Sequence, residues 1–273
     1  MNMHGKRVVI TGGSAGIGHE IARQLAMKGA RLVVTGRRAE ALSAAVAALR
    51  QATGAEIHGI PGDMADGAAR DALPGQAVAL LGGIDVLVNN AGGVRAGRLE
   101  ETSEAELRAM IEVDLVAPIL LTRATLAELR RAGEAQGGAM VVNIASGIAQ
   151  MGVPFYAGYA AAKGGLARFG EAMRRELKGE GVHVMTVYPG ATDTRMMSTS
   201  RADASMGFAV QPVAEVVASI IEGMEADAFE VVRGGATRHE MLAQNRDDPA
   251  AVDARFLALK PRLEAAVRDH SAL

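Results

Sequence analysis

Short β-branched runs alternate with longer alanine-rich stretches along most of the chain. RVVI at residues 7–10, RLVVT at 31–35, residues 55–60, IDVLV at 84–88, residues 139–144, residues 182–187 and a short run at 229–232 read as strands. Between them, residues 16–28, 39–52, 103–131, 156–178 and 212–225 carry helical character, with Pro118 a candidate kink in the third. In the first of these, Ile17, Ile21, Ala22 and Leu25 fall on one face. Strand alternating with helix predicts an α/β fold: a doubly wound parallel sheet of about seven strands with helices on both faces. No internal repeat or low-complexity linker interrupts residues 1–235, which are expected to form one domain. The longest stretch without periodicity runs from Thr192 to Gln211, and aperiodic segments of that length are usually functional or mobile. Beyond residue 235, Asp248 and Pro249 signal a helix start, and Val252, Phe256, Leu259 and Leu263 recur at helical spacing. Residues 236–273 are therefore expected to add a helical extension, packed on the same domain or on a partner subunit.

Composition narrows the function. The 273 residues are 49% hydrophobic, enough for a sizeable core, and the net charge of −2 argues against a nucleic-acid or anionic-membrane partner. Aromatic residues make up only 3%, too few for base-stacking platforms. There are no cysteines, which excludes disulfides, thiol catalysis and cysteine-ligated zinc, and a reducing cytoplasm is compatible with that. The six histidines show no metal-ligand spacing, so no metal is expected. No apolar run is long enough to span a membrane. The first strand follows residues 1–6 directly, so no signal peptide is expected.

The candidate chemistry lies at three places. Residues 11–18 read TGGSAGIG between the first strand and the first helix. There Gly12 allows a tight turn, Gly16 lets the backbone approach a pyrophosphate, and Gly18 lets the helix pack closely on the sheet. The helix N-terminus then faces the negative charge. The second strand ends in Gly36, Arg37 and Arg38 rather than in an acidic residue that would accept ribose hydroxyls. Forked, charge-assisted bonds from arginine suit a 2′-phosphate, so NADP is favoured over NAD, the alternative being that these arginines only solvate a helix start. Third, Tyr159 and Lys163 stand one helical turn apart, downstream of Ser146. A phenol has a pKa near 10, and lowering it to about 7 costs roughly 4 kcal/mol. One charge about 4 Å away at an effective dielectric near 20 supplies roughly that amount. Tyr156 lacks such a partner, because Ala160 occupies the corresponding position, and is expected to line the cleft or pack.

Taken in order, these motifs resemble the short-chain dehydrogenase/reductase family in its single-domain form, a Rossmann-type fold, over roughly residues 5–235. The resemblance rests on TGGSAGIG, Asp63 after the third strand, NNAG at 89–92, NIAS at 143–146, YAAAK at 159–163 and PGATDT at 189–194. It implies hydride transfer between a nicotinamide and a carbonyl or secondary alcohol, with Tyr159 handling the proton and Ser146 orienting the substrate oxygen. It also implies that Ser14 and Ile17 contribute to the dinucleotide loop and that Asp63 and Met64 hold the adenine. Asn90 would shape the pocket, Lys163 and Tyr159 would meet the nicotinamide ribose, and Pro189, Gly190, Thr192 and Thr194 would line the nicotinamide. A homodimer or homotetramer is implied as well, although the extension puts a tetramer in doubt. One position departs from the family: Asp114, within IEVDLVAP, stands where an asparagine is usual and helps hold a water. Aspartate could support that water through its backbone carbonyl, or pair with Lys163 and change the pH profile.

The substrate is expected to be a small, fairly hydrophobic carbonyl compound, because Met196, Met197, Met206 and Phe208 would cover it and Met151, Val153 and Phe155 would face them. The same methionines could instead pack a lid or a subunit interface, and Arg195 and Arg201 could meet an acidic group. A non-catalytic NADP-binding sensor or scaffold is the competing reading. An epimerase or dehydratase would need a larger C-terminal domain.

Overall fold

The computed structural model describes residues 1–135 and 137–273. Seven parallel strands form one sheet in the order β3-β2-β1-β4-β5-β6-β7. They are β1 (Arg7–Ile10), β2 (Arg31–Gly36), β3 (Ile57–Pro61), β4 (Val86–Asn89), β5 (Ala139–Ile144), β6 (Val182–Tyr188) and β7 (Glu230–Val232). Between them run α1 (Gly16–Met27), α2 (Ala39–Thr53), α3 (Gly67–Leu81), α4 (Glu104–Ile111), α5 (Ala117–Glu134), α6 (Ala157–Glu176) and α7 (Val213–Glu225). After the last strand come α8 (Gly235–Asp247) and α9 (Pro249–Val267).

Alternation along each strand assigns its side chains to two layers. Val8, Ile10, Val86 and Val88 pack with Ile21 and Leu25 of α1, Leu42 and Val46 of α2, and Ile220 and Met224 of α7. Val9, Leu87 and Val141 face the other way, onto Leu73 of α3, Leu121 and Leu129 of α5, and Leu177. Central strands buried on both faces have no polar side to show, which is why they read as continuous apolar runs. The chain leaves β1 for β2 on one side and pairs β1 with β4 on the other. That reversal opens a crevice at the carboxyl ends of the strands, where every predicted motif lies.

Two helices escape the hydrophobic pattern. Gly67, Pro74 and Gly75 obscure α3, which nevertheless runs its full length with Asp66 capping its first turn through Ala68 N–H at 3.0 Å. α8 carries too little apolar periodicity to stand out from its surroundings. The long helix expected over residues 103–131 starts behind a capping box of Ser103 and Glu106. It is not kinked by Pro118, which sits in the first turn of α5, where a missing N–H costs little. A π-helical turn, Glu112–Val116, joins α4 to α5 instead.

At the opposite end of the sheet, Arg7 and Asp85 lock β1 to β4. The Arg7 side chain donates to Asp85 at 2.6 and 2.9 Å, and its backbone N–H donates at 2.8 Å. Burial works against the Asp85 carboxylate, but the Arg7 donors outweigh it and hold its pKa below the usual range. That contribution to stability is complete above the unfolded value near 4 and is lost as pH falls through the depressed folded value. Asp85→Asn is expected to lower unfolding free energy by about 2 kcal/mol at neutral pH. The loss should shrink in acid; urea denaturation at several pH values checks both.

Candidate active site

The crevice is one continuous cavity of about 1160 Å³ running from the glycine loop to the C-terminal tail. At one end the β1–α1 turn presents Gly12, Ser14, Gly16 and Ile17 to it. Gly12 and Gly16 have φ of 68° and 57°, in the left-handed region that glycine tolerates. A Cβ on Gly12 would lie 3.0 Å from both Ala91 and Asn90, so only a bare backbone closes this turn. Gly18 does not line the cavity; a Cβ there would stand 2.5 Å from the Gly12 carbonyl oxygen, so its part is close packing beneath the loop. Asn90 Nδ2 ties the loop down from β4 through the carbonyls of Thr11 and Gly12 at 2.9 and 3.2 Å. The resulting cradle of small residues at the N-terminus of α1 fits a pyrophosphate.

Next to it, Arg37 and Arg38 are exposed on the cavity wall, and neither takes part in an ion pair among the described residues. Asp63 accepts from Ala65 N–H at 3.0 Å and lines the cavity beside buried Met64. Across the cleft, Pro189, Gly190, Thr192 and Thr194 follow β6. Thr194 reaches toward the loop: a Cβ on Gly16 would meet its Cγ2 at 3.3 Å.

Ser146, Tyr159 and Lys163 converge in the middle of the cavity. Ser146 follows β5 and caps a short turn, accepting from Ile148 N–H at 3.3 Å. The helical spacing within α6 puts Tyr159 and Lys163 on one face, with Lys163 Nζ 5.9 Å from the phenol ring centre. Lys163 is buried, donates to the Ile144 carbonyl at 3.0 Å, and pairs with Asp114 at 3.0 Å.

Asp114 is fully buried and does not reach the cavity. The π-helical turn aims it inward; such insertions recur at functional sites because they redirect one side chain without ending the helix. Its carboxylate accepts from Gly93 N–H at 3.3 Å. The Asp114 side chain pairs with Lys163, which makes it a positioning residue. Burial opposes the Lys163 charge, but Asp114, followed by Tyr159, outweighs it and holds the ammonium protonated. Lys163 does draw the phenol downward, as expected, but other causes outweigh it. Burial pushes the Tyr159 pKa up, and the Asp114 carboxylate adds to that push, against the lowering by Lys163 and a hydrogen bond with Ser146.

The far end of the cavity is apolar. Met151, Val153, Tyr156, Met196, Met197, Met206 and Phe208 line it. Phe155 does not; it packs behind them with a φ of 71°, a strained backbone for a bulky residue. Tyr156 stacks on Phe208 with ring centres 5.9 Å apart, and burial raises its phenol strongly. Arg195 lines the cavity, whereas Arg201 does not. Two groups of lining residues have no signal in the sequence. Arg238 of α8 reaches back to the Gly147 carbonyl, and His270 to Leu273 return to the cavity after α9.

A glycine cradle at the switch point of a parallel sheet, with a Ser–Tyr–Lys cluster beyond it, defines a nicotinamide-dependent oxidoreductase. The chain belongs to the short-chain dehydrogenase/reductase family: the family described as short chain dehydrogenase matches residues 6–205. It is 34% identical over 255 residues to the ketoacyl reductase HetN of Nostoc sp., covering 91% of this chain and 87% of that protein. It is 31% identical to the 3-oxoacyl-acyl-carrier-protein reductase FabG of Escherichia coli, over 84% of this chain and 91% of that one. Its fold resembles a short chain dehydrogenase from Burkholderia cenocepacia in complex with NADP, at a TM-score of 0.77 and 30% identity, covering 86% of this chain and 98% of that one. An alcohol dehydrogenase from Thermococcus sibiricus complexed with 5-hydroxy-NADP gives a TM-score of 0.72 at 25% identity, covering 84% and 95%. No helix among the described residues is long and apolar enough to cross a membrane.

The Asp114–Lys163 pair yields a test. Removing the carboxylate's charge removes one cause of the raised Tyr159 pKa, so Asp114→Asn should move the acidic limb of alcohol oxidation, where the rate rises as Tyr159 loses its proton, toward lower pH. A pH–rate profile of the native protein and the variant checks this; superimposable limbs would make Asp114 purely structural. Asp114→Ala, which strands a buried ammonium, is expected to cost about 3–5 kcal/mol of stability in thermal or urea unfolding.

Proposed function

We infer that this enzyme is a carbonyl reductase that uses NADPH to reduce a small, mostly apolar ketone or oxoacyl compound to the alcohol. The observation that carries the reading is the convergence of Ser146, Tyr159 and Lys163 on one cavity whose other end is a glycine cradle flanked by Arg37 and Arg38. The bound nicotinamide supplies the hydride that goes to the carbonyl carbon. Ser146 holds the carbonyl oxygen, and Tyr159 delivers a proton to it. Lys163 stabilises the phenolate left behind, and Asp114 keeps Lys163 in place.

The two unpaired arginines favour NADP over NAD, since their guanidinium forks suit a 2′-phosphate and no acidic residue stands at the end of β2. The structures complexed with NADP and with 5-hydroxy-NADP support the same choice. The apolar far end of the cavity and the ketoacyl and oxoacyl reductases among its relatives support the substrate class. A cytoplasmic setting accords with a chain that lacks cysteine. Assembly as a homodimer or homotetramer remains part of the proposal, on the strength of the family resemblance. The sensor reading is the weaker one, because a protein that only binds NADP has no need of all three reactive side chains.

Arg37→Ala is expected to raise the dissociation constant for NADPH by roughly 10- to 100-fold, the worth of a lost charge-assisted contact, and to leave that for NADH almost unchanged. Fluorescence titration with both cofactors decides it; equal weakening would remove the case for NADP. Tyr159→Phe should lower kcat for NADPH-dependent ketone reduction by about 10²- to 10⁴-fold while NADPH binding persists. Turnover that survives the substitution would rule out Tyr159 as the proton donor.

A further inference from the structure

The chain returns to its own active site after α9. Residues 94–96, just beyond β4, form an antiparallel bridge with the tail: Arg95 pairs with Ser271, Ala96 N–H donates to the His270 carbonyl at 2.9 Å, and Ala272 N–H donates to the Val94 carbonyl at 2.8 Å. The bidentate contact of Arg98 with Glu264, at 2.5 and 2.9 Å, anchors α9 to the same loop. The tail also holds the aperiodic segment that follows β6. Arg201 N–H donates to the Ala266 carbonyl at 2.9 Å, Thr199 Oγ1 meets His270 Nδ1 at 3.1 Å, and Arg262 donates to Ser205 Oγ at 2.9 Å. Two loops separated by about a hundred residues are thereby joined across the mouth of the cavity by a third segment.

The tail also reaches close to the chemistry. A Cβ on Gly93 would meet the Ala272 carbonyl oxygen at 3.0 Å and Leu273 Cδ2 at 3.1 Å. On the preceding residue, Gly92, a Cβ would meet Lys163 Nζ at 3.2 Å. Ala272 and Leu273 thus sit one residue along the backbone from the reactive cluster. They belong to the apolar group that contains Tyr156, Tyr159, Val94, Met206 and Phe208. Leu273 is the largest aliphatic residue of the tail among those that line the cavity.

We propose that the C-terminal tail is the specificity wall of this enzyme, with Leu273 limiting the length of the apolar substituent on the carbonyl substrate. The proposal rests on the carbonyl-reductase reading and adds a size limit to it. A wall made of the chain's own tail, pinned by backbone bonds to the loop after β4, selects by volume: an extra methylene either finds room or collides. Each methylene accepted or refused in such a pocket is worth roughly tenfold or more in kcat/KM.

The test is a homologous series of straight-chain methyl ketones with NADPH, on the native protein and on Leu273→Ala and Leu273→Trp. Both changes lie at the end of the tail, outside the sheet and its two main core layers. The native ladder should rise with chain length and then fall. Leu273→Ala should move the fall to longer ketones, and Leu273→Trp to shorter ones, each by tenfold or more at the limiting length. NADPH affinity should be the same in all three. The same ladder is read as binding, from the change in NADPH fluorescence on adding each ketone to the complex with Tyr159→Phe, alone and combined with each change at Leu273. If ketones bind with a limit that follows position 273 but none is reduced, the wall stands and the reductase reading fails. If ketones are reduced with a limit indifferent to position 273, the reductase reading stands and the wall is overturned. If no member of the series binds, the wall is overturned as a carbonyl subsite.

Discussion

A buried ammonium must be compensated, and much of this active site is arranged around that requirement. Lys163 carries its charge away from water, where desolvation costs several kcal/mol unless partners are fixed in place. The partners come from separate elements: the end of β5 through Ile144, the π-helical turn through Asp114, and that turn in turn through Gly93 beyond β4. The Ile144 and Gly93 contacts are backbone groups, so they are set by the strands rather than by side-chain rotamers. Gly92 is a glycine for the same reason, since a Cβ there would stand 2.4 Å from the Asp114 carboxylate oxygen. Fixing Lys163 fixes Tyr159 one turn earlier on α6, and with it the point where a substrate oxygen is met.

Asp114 changes the electrostatics of that arrangement without changing its shape. Asparagine and aspartate fill similar volumes, but an ionised carboxylate beside Lys163 cancels much of the charge that would otherwise stabilise a phenolate. Burial is the larger cause that holds the Tyr159 phenol above its ordinary range, and this carboxylate adds to it. Proton donation to a developing alkoxide suits such a group better than proton abstraction from an alcohol does.

The two ends of the cavity are built differently. The cofactor end is made of backbone: glycines in the β1–α1 turn, strand ends held by the sheet, and the N-terminus of α1. The substrate end is made of side chains from segments without regular structure, closed by α9 and the residues after it. Parallel strands and their crossover helices impose the first end, while the second can change without disturbing the sheet.

The sequence by itself determined the alternation of strands and helices, the doubly wound sheet and the residues of the reactive cluster. These are local signals: a β-branched run, a glycine-rich turn, a tyrosine and a lysine one helical turn apart. It did not show α3, whose Pro74 and Gly75 break the usual pattern while tertiary packing of Leu73, Ala77 and Leu81 holds the helix together. It offered a pairing of Asp114 with Lys163 only as one of two roles, because the π-helical turn that aims Asp114 depends on how α4 and α5 lie against α6. The return of His270 to Leu273 to the cavity left no trace in the pattern either. Those residues bond through their backbones to 94–96, and backbone bonds between distant segments are indifferent to side-chain identity. Local chemistry is written in the chain; the pairing of distant segments is decided only when the sheet has brought them together.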